Sequence, residues 1–193
     1  MSTSDRTVRL LASLKNYAHD GGREPVAMAS LYAIADDCVE LQQARFKAHG
    51  IMFELDIEAC IPDFLCRDVQ IRQVITNLLD NAFESVVRSE GTVRWVVLGA
   101  GYAQAEIHIE VTRSSPFLQD QIKARITEPF FTTEELCLES DAGLNFSRTI
   151  ANNHGGSLAL CRDKVNTCFR LILPVYGNRL NENEAREWMA TEP

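Results

Sequence analysis

The sequence predicts an α/β two-layer sandwich, which is a mixed β-sheet with helices packed on one of its faces. Two features of the 193 residues indicate this class. Hydrophobic periodicities follow the order helix, helix, strand, helix, strand, strand, loop, helix, strand, strand. In addition, short turns separate two pairs of consecutive strands, as they do in antiparallel hairpins.

The individual elements are predicted from apolar spacing and from residues that begin or end helices. Ser30 is a candidate N-cap, Gly50 closes the helix that follows it, and the Gly155–Gly156 pair closes the last long helix. The predicted helices cover residues 5–18, 30–48, 68–88, 119–126 and 142–153, with a short one at 182–189. The predicted extended segments are a short piece before residue 30, then 51–59, 91–101, 105–113, 157–163 and 167–175. Residues 60–68 are predicted to form a turn and a short extended segment.

The bulk properties exclude several classes of protein. A net charge of -8 argues against a general nucleic-acid binder, which is usually basic. No apolar run approaches the length needed to cross a membrane. The six cysteines form no C-x-x-C pair, which argues against a zinc site, and we interpret them as reduced thiols of a cytoplasmic protein. Cys161 and Cys168 can oppose each other on the last hairpin, although small buried core residues are the favoured interpretation.

Two asparagines one helical turn apart interrupt the hydrophobic segment "NLLDNAFES" (Asn77–Ser85). Successive residues of a helix are about 100° apart, so the polar side chains of residues 68–88 share one narrow stripe. The stripe contains Gln70, Gln73, Asn77, Asp80, Asn81, Glu84 and Arg88. Because a surface helix usually shows water a broader polar face, the stripe is predicted to line a wet cleft, a metal or a ligand. The alternative is a solvated face on an ordinary core helix.

Four stretches, in order, resemble one family. They are "FKAHGIMFELDI" (Phe46–Ile57), "DVQIRQVITNLLDNAFESV" (Asp68–Val86), "EPFFTTEE" (Glu128–Glu135) and "AGLNFSRTIANNHGGSL" (Ala142–Leu158). Together they look like the ATP-binding (catalytic) domain of sensor histidine kinases, within the superfamily of gyrase, heat-shock chaperone and mismatch-repair ATPases. The last three match its Asn-box, phenylalanine box and second glycine box. The resemblance implies a Bergerat-type ATP-binding fold.

The resemblance also implies a division of the chain. Residues 1–22 look like the tail of a dimerisation-type helix with a linker, and residues 23–175 form the ATPase domain. Residues 176–193 form a polar C-terminal tail. The N-terminal helix implies a possible homodimer.

The matching positions imply a site for ATP and Mg2+. An asparagine oxygen supplies a hard ligand for Mg2+ without adding charge. Asn81 matches the family's Mg2+-ligand asparagine, and it is the predicted metal ligand of this chain. Asn77 faces the same cleft, and Glu84, on the same stripe, is grouped with the residues that bind the cofactor.

Further residues of the site come from the other two boxes. Phe130 and Phe131 anchor the mobile lid over the nucleotide, although plain core packing is an equal alternative for Phe130. Gly143 begins the helix whose N-terminal amides meet phosphate, and Leu144 follows it. The turn at His154 is expected to end a helix and to have no chemical role.

The first glycine box departs from the family. Its expected Asp-Asn-Gly-Pro-Gly falls on "RSSPF", so that Arg113 replaces the aspartate and Ser115 and Phe117 replace the glycines. A guanidinium has donors and no acceptor, so Arg113 cannot accept a hydrogen bond from the adenine amino group. An unsatisfied amino group costs about 1–3 kcal/mol. In the second box, Asp141 stands where a glycine is expected.

The four histidines do not resemble a phosphoacceptor. The chain is therefore either a fragment that lacks its acceptor or a protein that does not autophosphorylate, and no catalytic residue is assigned in it. The first hypothesis is the ATP-binding domain of a sensor histidine kinase, which phosphorylates a histidine elsewhere. The second is a degenerate, non-catalytic module that docks a partner kinase or a response regulator. A third is that Arg113 selects another ligand, such as guanine or a carboxylate.

Overall fold

The computed structural model describes residues 25–89, 93–114, 142–161 and 166–176. Three helices and seven strands lie in these segments. In chain order they are β1 (Ala27–Ala29), α1 (Leu31–Ala48), β2 (Met52–Ile57), β3 (Phe64–Cys66), α2 (Asp68–Arg88), β4 (Trp95–Ala103), β5 (Glu106–Arg113), α3 (Ala142–Asn153), β6 (Ser157–Leu160) and β7 (Thr167–Pro174). The helices predicted at 5–18, 119–126 and 182–189 lie outside this part of the chain, and the predicted domain limits at residues 22 and 175 stay a prediction.

The main sheet has five strands in the order β2-β4-β5-β7-β6. β2 pairs with β4 in parallel, and the other pairs are antiparallel, so the sheet is mixed. β1 and β3 form a separate antiparallel pair. These pairings confirm the predicted mixed sheet and both predicted hairpins.

The helices cover one face of the sheet. α2 packs between α1 and α3 and contacts β4 and β5 beneath it. The strands direct alternate side chains at these helices, as Ile107, Ile109 and Val111 of β5 do. The apolar side of α2 is buried through Ile71, Val74, Ile75, Leu78 and Leu79. The predicted two-layer sandwich is therefore confirmed. Among the described segments, no helix combines the length and apolar composition needed to span a bilayer.

Two of the helices end in the same way, at glycines that the sequence predicted as helix ends. Gly50 has φ 66° and Gly155 has φ 74°, a backbone conformation that favours glycine. Gly155 N–H donates to Asn152 O and Gly156 N–H donates to Ala151 O, which is a Schellman motif at the end of α3. α1 closes with the equivalent pair of bonds. Ser30 holds the N-cap position of α1, although its side chain makes no capping bond.

The buried side chain of His154 bonds to the last turn of α3 and to the backbone at Arg67. Its side chain is buried, its Nδ1 lies 2.9 Å from Ile150 O, and its Nε2 accepts from Arg67 N–H at 3.2 Å. Because a backbone N–H only donates, Nε2 is unprotonated and Nδ1 carries the hydrogen of a neutral ring. Burial lowers the pKa of His154 below its ordinary value. The predicted structural role of this turn agrees with these contacts.

This buried imidazole predicts a pH-dependent stability. Below about pH 6.5 the unfolded chain binds a proton at His154 that the folded chain does not, so the free energy of unfolding falls as the pH falls. The slope attributable to this group is at most about 1.4 kcal/mol per pH unit. Urea unfolding of the wild type and of His154→Gln between about pH 7.5 and 5.5 measures it. The free energy of unfolding should fall more steeply with falling pH in the wild type than in His154→Gln. The control His49→Gln, which changes an exposed histidine, should behave as the wild type does. An equally steep fall in the wild type and in His154→Gln would contradict the assignment to His154.

Candidate functional site

Asn77 joins two helices. Its Nδ2 donates to Ser147 Oγ at 3.1 Å and lies 3.4 Å from Gly143 O, both on α3. Ser147 Oγ in turn donates to Gly143 O at 2.8 Å. These bonds hold the first turn of α3 beside the middle of α2, where Asn81 lies one turn further along.

Asn81 and Arg113 form a direct contact across the helix–sheet interface. Arg113 Nη1 donates to Asn81 Oδ1 at 2.9 Å and to Asn81 O at 3.0 Å. Arg113 is the last residue of β5 and points to the helix side of the sheet, in line with Val111. The residue is only 5% exposed, so the guanidinium lies inside the fold. The end of β5 is therefore tied to the middle of α2.

The electrostatics of this contact bear on metal binding. A buried cation is costly unless it is hydrogen-bonded, and the Asn81 oxygens satisfy part of this requirement. An asparagine Oδ1 is also a suitable ligand for Mg2+. A Mg2+ ion at this oxygen would therefore compete with Arg113 for Asn81.

Two other members of the polar stripe, Asp80 and Glu84, bond to α1 and along α2 respectively. Asp80 accepts from Gln42 Nε2 at 3.1 Å and pairs with Arg45, whose guanidinium lies 3.8 Å from the centre of the Phe83 ring. Glu84 pairs with Arg88 at 3.1 Å, where Arg88 is largely exposed. Asn77 and Asn81 contact the elements predicted to hold phosphate and base, which are the start of α3 and the end of β5.

The remaining predicted site residues fall into two groups. Gly143 is half-buried at the start of α3, whereas Leu144 is buried in the hydrophobic core. Ser115, Phe117, Phe130 and Phe131 lie outside the described residues, as does Asp141. Their roles stay predictions.

Sequence reasoning missed Ser147. Its hydroxyl is fully buried between Asn77 and the Gly143 carbonyl. A serine four residues after a glycine is a weak signal, because serine often bonds back to the preceding turn of its own helix. Only the position of α2 beside α3 shows that the hydroxyl also accepts from Asn77.

Comparison with known families identifies the fold. The profile described as "Histidine kinase-, DNA gyrase B-, and HSP90-like ATPase" matches residues 66–177, more than half of the chain. The chain belongs to this family. The match runs from β3 to just beyond β7 and includes Asn77, Asn81 and Arg113, so the family resemblance is confirmed.

Two curated relatives of this ATPase-family chain are sensor proteins. Sensor protein FixL of Bradyrhizobium diazoefficiens is 26% identical over 170 residues, which are 88% of this chain and 33% of FixL. Adaptive-response sensory kinase SasA of Synechocystis sp. is 30% identical over 151 residues, which are 75% of this chain and 38% of SasA. The chain therefore spans little more than a third of the length of these relatives.

Solved structures agree on the fold. The catalytic domain of histidine kinase ThkA matches with a TM-score of 0.62 at 21% identity, covering 79% of this chain and 99% of that domain. ThkA in complex with the response regulator protein TrrA matches with a TM-score of 0.64 at 19% identity, covering 89% of this chain and 48% of the ThkA chain. At these identities the likeness concerns the fold alone.

Proposed function

We propose that this chain carries the ATP-binding domain of a sensor histidine kinase in two-component signal transduction. It binds Mg-ATP for transfer of a phosphoryl group to a histidine outside this chain. The observation that carries this proposal is the position of Asn81, which faces the end of β5 one helical turn from the Asn77 contact with α3. By the family resemblance, the base, metal and phosphate sites lie at the end of β5, the middle of α2 and the start of α3.

The residues present fit the two parts of the cofactor in different ways. Asn81 Oδ1 would be the ligand atom for Mg2+, and the backbone N–H groups at the start of the 12-residue helix α3 would suit phosphate. When bound, Mg2+ neutralises charge on the phosphates. In this structure the guanidinium of Arg113 donates a hydrogen bond to Asn81 Oδ1. The Arg113 side chain must therefore turn away before this oxygen can bind a metal ion.

The proposal includes the partners and the compartment of the protein. A histidine-containing dimerisation domain or a partner kinase supplies the acceptor, and a response regulator, as ThkA binds, receives the phosphoryl group. The N-terminal helix predicted from the sequence supports a homodimer. We place the protein in the cytoplasm, in line with the interpretation of its cysteines as reduced thiols.

The Arg113–Asn81 contact favours a second candidate function. If Arg113 never leaves Asn81, the nucleotide site is closed, and the domain is a degenerate module that docks a partner kinase or a response regulator. The two candidates differ in one measurable quantity, the affinity of the wild-type chain for Mg-ATP.

Calorimetric titration with Mg-ATP tests the proposal. We expect measurable binding by the wild type and none by Asn81→Ala, because the substitution removes the metal-binding oxygen. Asn152→Ala, which changes an exposed asparagine on α3, is the matched control and should bind as the wild type does. Absence of binding by a folded wild type would reject the kinase proposal in favour of the docking module.

A further inference from the structure

A second cluster of ligand-type side chains lies at the β6–β7 hairpin. Cys161 and Cys168 stand opposite each other, and Cys161 N–H donates to Cys168 O at 2.7 Å. Glu110 on β5 completes the group, because its carboxylate and the two sulfurs all lie within 4.8 Å of one another. Residues 51 positions apart along the chain are therefore brought together by the sheet.

This cluster lies on the face of the sheet that the helices leave uncovered. Glu110 alternates along β5 with Ile109 and Val111, which face the helices. Cys168 pairs with Thr112, whose side chain is on the same face of β5 as that of Glu110. Because paired residues of neighbouring strands face the same way, Cys168 lies on that face too. The cluster is thus separated by the sheet from Asn81 and Arg113, and it is independent of the proposed nucleotide site.

The charges of the cluster suit a divalent cation. Arg170 Nε donates to Glu110 Oε1 at 2.6 Å. Two thiolates and a carboxylate carry three negative charges, Arg170 offsets one, and a divalent cation would neutralise the remainder. In the absence of a cation, the side-chain hydrogen bond with Cys168, burial and the neighbouring negative charges raise the pKa of Cys161 above its ordinary value.

Two of the three ligands, Glu110 and Cys161, are partly accessible to solvent, whereas Cys168 is fully buried. A cavity of about 360 Å³ on the same face is lined by Glu110 and Arg170, together with Gly99 and Gly101 of β4. Cys161 is itself half-buried. A hydrated ion can therefore reach Glu110 from this cavity, while neither cysteine lines it.

We propose that Cys161, Cys168 and Glu110 bind one thiophilic divalent cation of the Zn2+ class. The cation displaces one proton from each thiol, and water fills the fourth position. Thiolate sulfurs about 2.3 Å from a common zinc ion are about 3.8 Å apart, so the observed spacing needs only small side-chain rotations. The sequence argued against a zinc site because it has no C-x-x-C pair, whereas this cluster combines two cysteines of a hairpin with a carboxylate from another strand.

Titration of the reduced chain with Co2+, which reports thiolate ligands by a charge-transfer band, tests this site. The chain is kept reduced with a phosphine to prevent disulfide formation. We expect the band to saturate at one equivalent and to be abolished by Zn2+. Cys161→Ser should weaken binding at least tenfold, and Glu110→Gln about tenfold.

Two matched control variants test whether the charge-transfer band arises from Cys161, Cys168 and Glu110. Cys60→Ser changes an exposed cysteine, and Cys137→Ser changes the cysteine that lies outside the described residues; both should bind Co2+ as the wild type does. Either no charge-transfer band in the reduced wild type, or a band of unchanged affinity in Cys161→Ser and Glu110→Gln, would overturn the proposal.

Discussion

Arg113→Asp is expected to raise the affinity for Mg-ATP at least about tenfold over the wild type. The wild-type guanidinium donates two hydrogen bonds to Asn81, at 2.9 Å and 3.0 Å, and hydrogen bonds from charged groups contribute about 1.5–3 kcal/mol each. Nucleotide must displace these bonds to reach Asn81 Oδ1. Aspartate removes the competing cation and supplies an acceptor for the adenine amino group. Calorimetric titration of both proteins measures the difference.

Arg113→Leu separates the two effects. It removes the cation from Asn81 but supplies no acceptor, so its affinity should lie between those of the wild type and Arg113→Asp. Circular dichroism checks that each variant is folded, since the side chain is buried. Equal affinities in the wild type and both folded variants would show that Arg113 does not compete for the site.

Gly156→Ala is expected to destabilise the fold by about 3 kcal/mol. A Cβ at this position would lie 2.0 Å from Ile172 O and 3.0 Å from Leu173 Cδ2. The carbonyl belongs to β7, which is paired on both sides within the sheet, so it cannot move without disturbing two strand pairs. The urea midpoint of unfolding should fall accordingly.

Gly99→Ala is the matched control for this substitution. Its Cβ would lie 3.6 Å from Asp56 O, an ordinary contact, so its stability should stay close to that of the wild type. A Gly156→Ala protein as stable as Gly99→Ala would mean that the α3–β6 turn is looser than the contacts indicate.

The local elements were predictable because each follows from short-range chemistry. α2 and α3 match the predicted ranges 68–88 and 142–153, since their apolar spacing is regular. The helix ends at Gly50 and Gly155 also match, because glycine adopts a positive φ without strain. These interactions span a few residues and leave a direct trace in the sequence.

The contacts that define the site could not be predicted in the same way. Arg113 and Asn81 were each placed in the site, but their hydrogen bond depends on how the end of β5 lies beneath α2. The same holds for Ser147, whose partner is on another helix. Glu110 joins Cys161 and Cys168 only because β5 pairs with β7. Such contacts arise from tertiary packing and are not encoded by spacing along the chain.

The most direct test of the account is a crystal structure of the chain with Mg2+ and a non-hydrolysable ATP analogue. The account predicts Mg2+ on Asn81 Oδ1, phosphates at the start of α3, and Arg113 turned away from Asn81. Arg113 still bonded to Asn81 at saturating analogue, with no ordered phosphates, would contradict it and leave the docking module as the function of this domain.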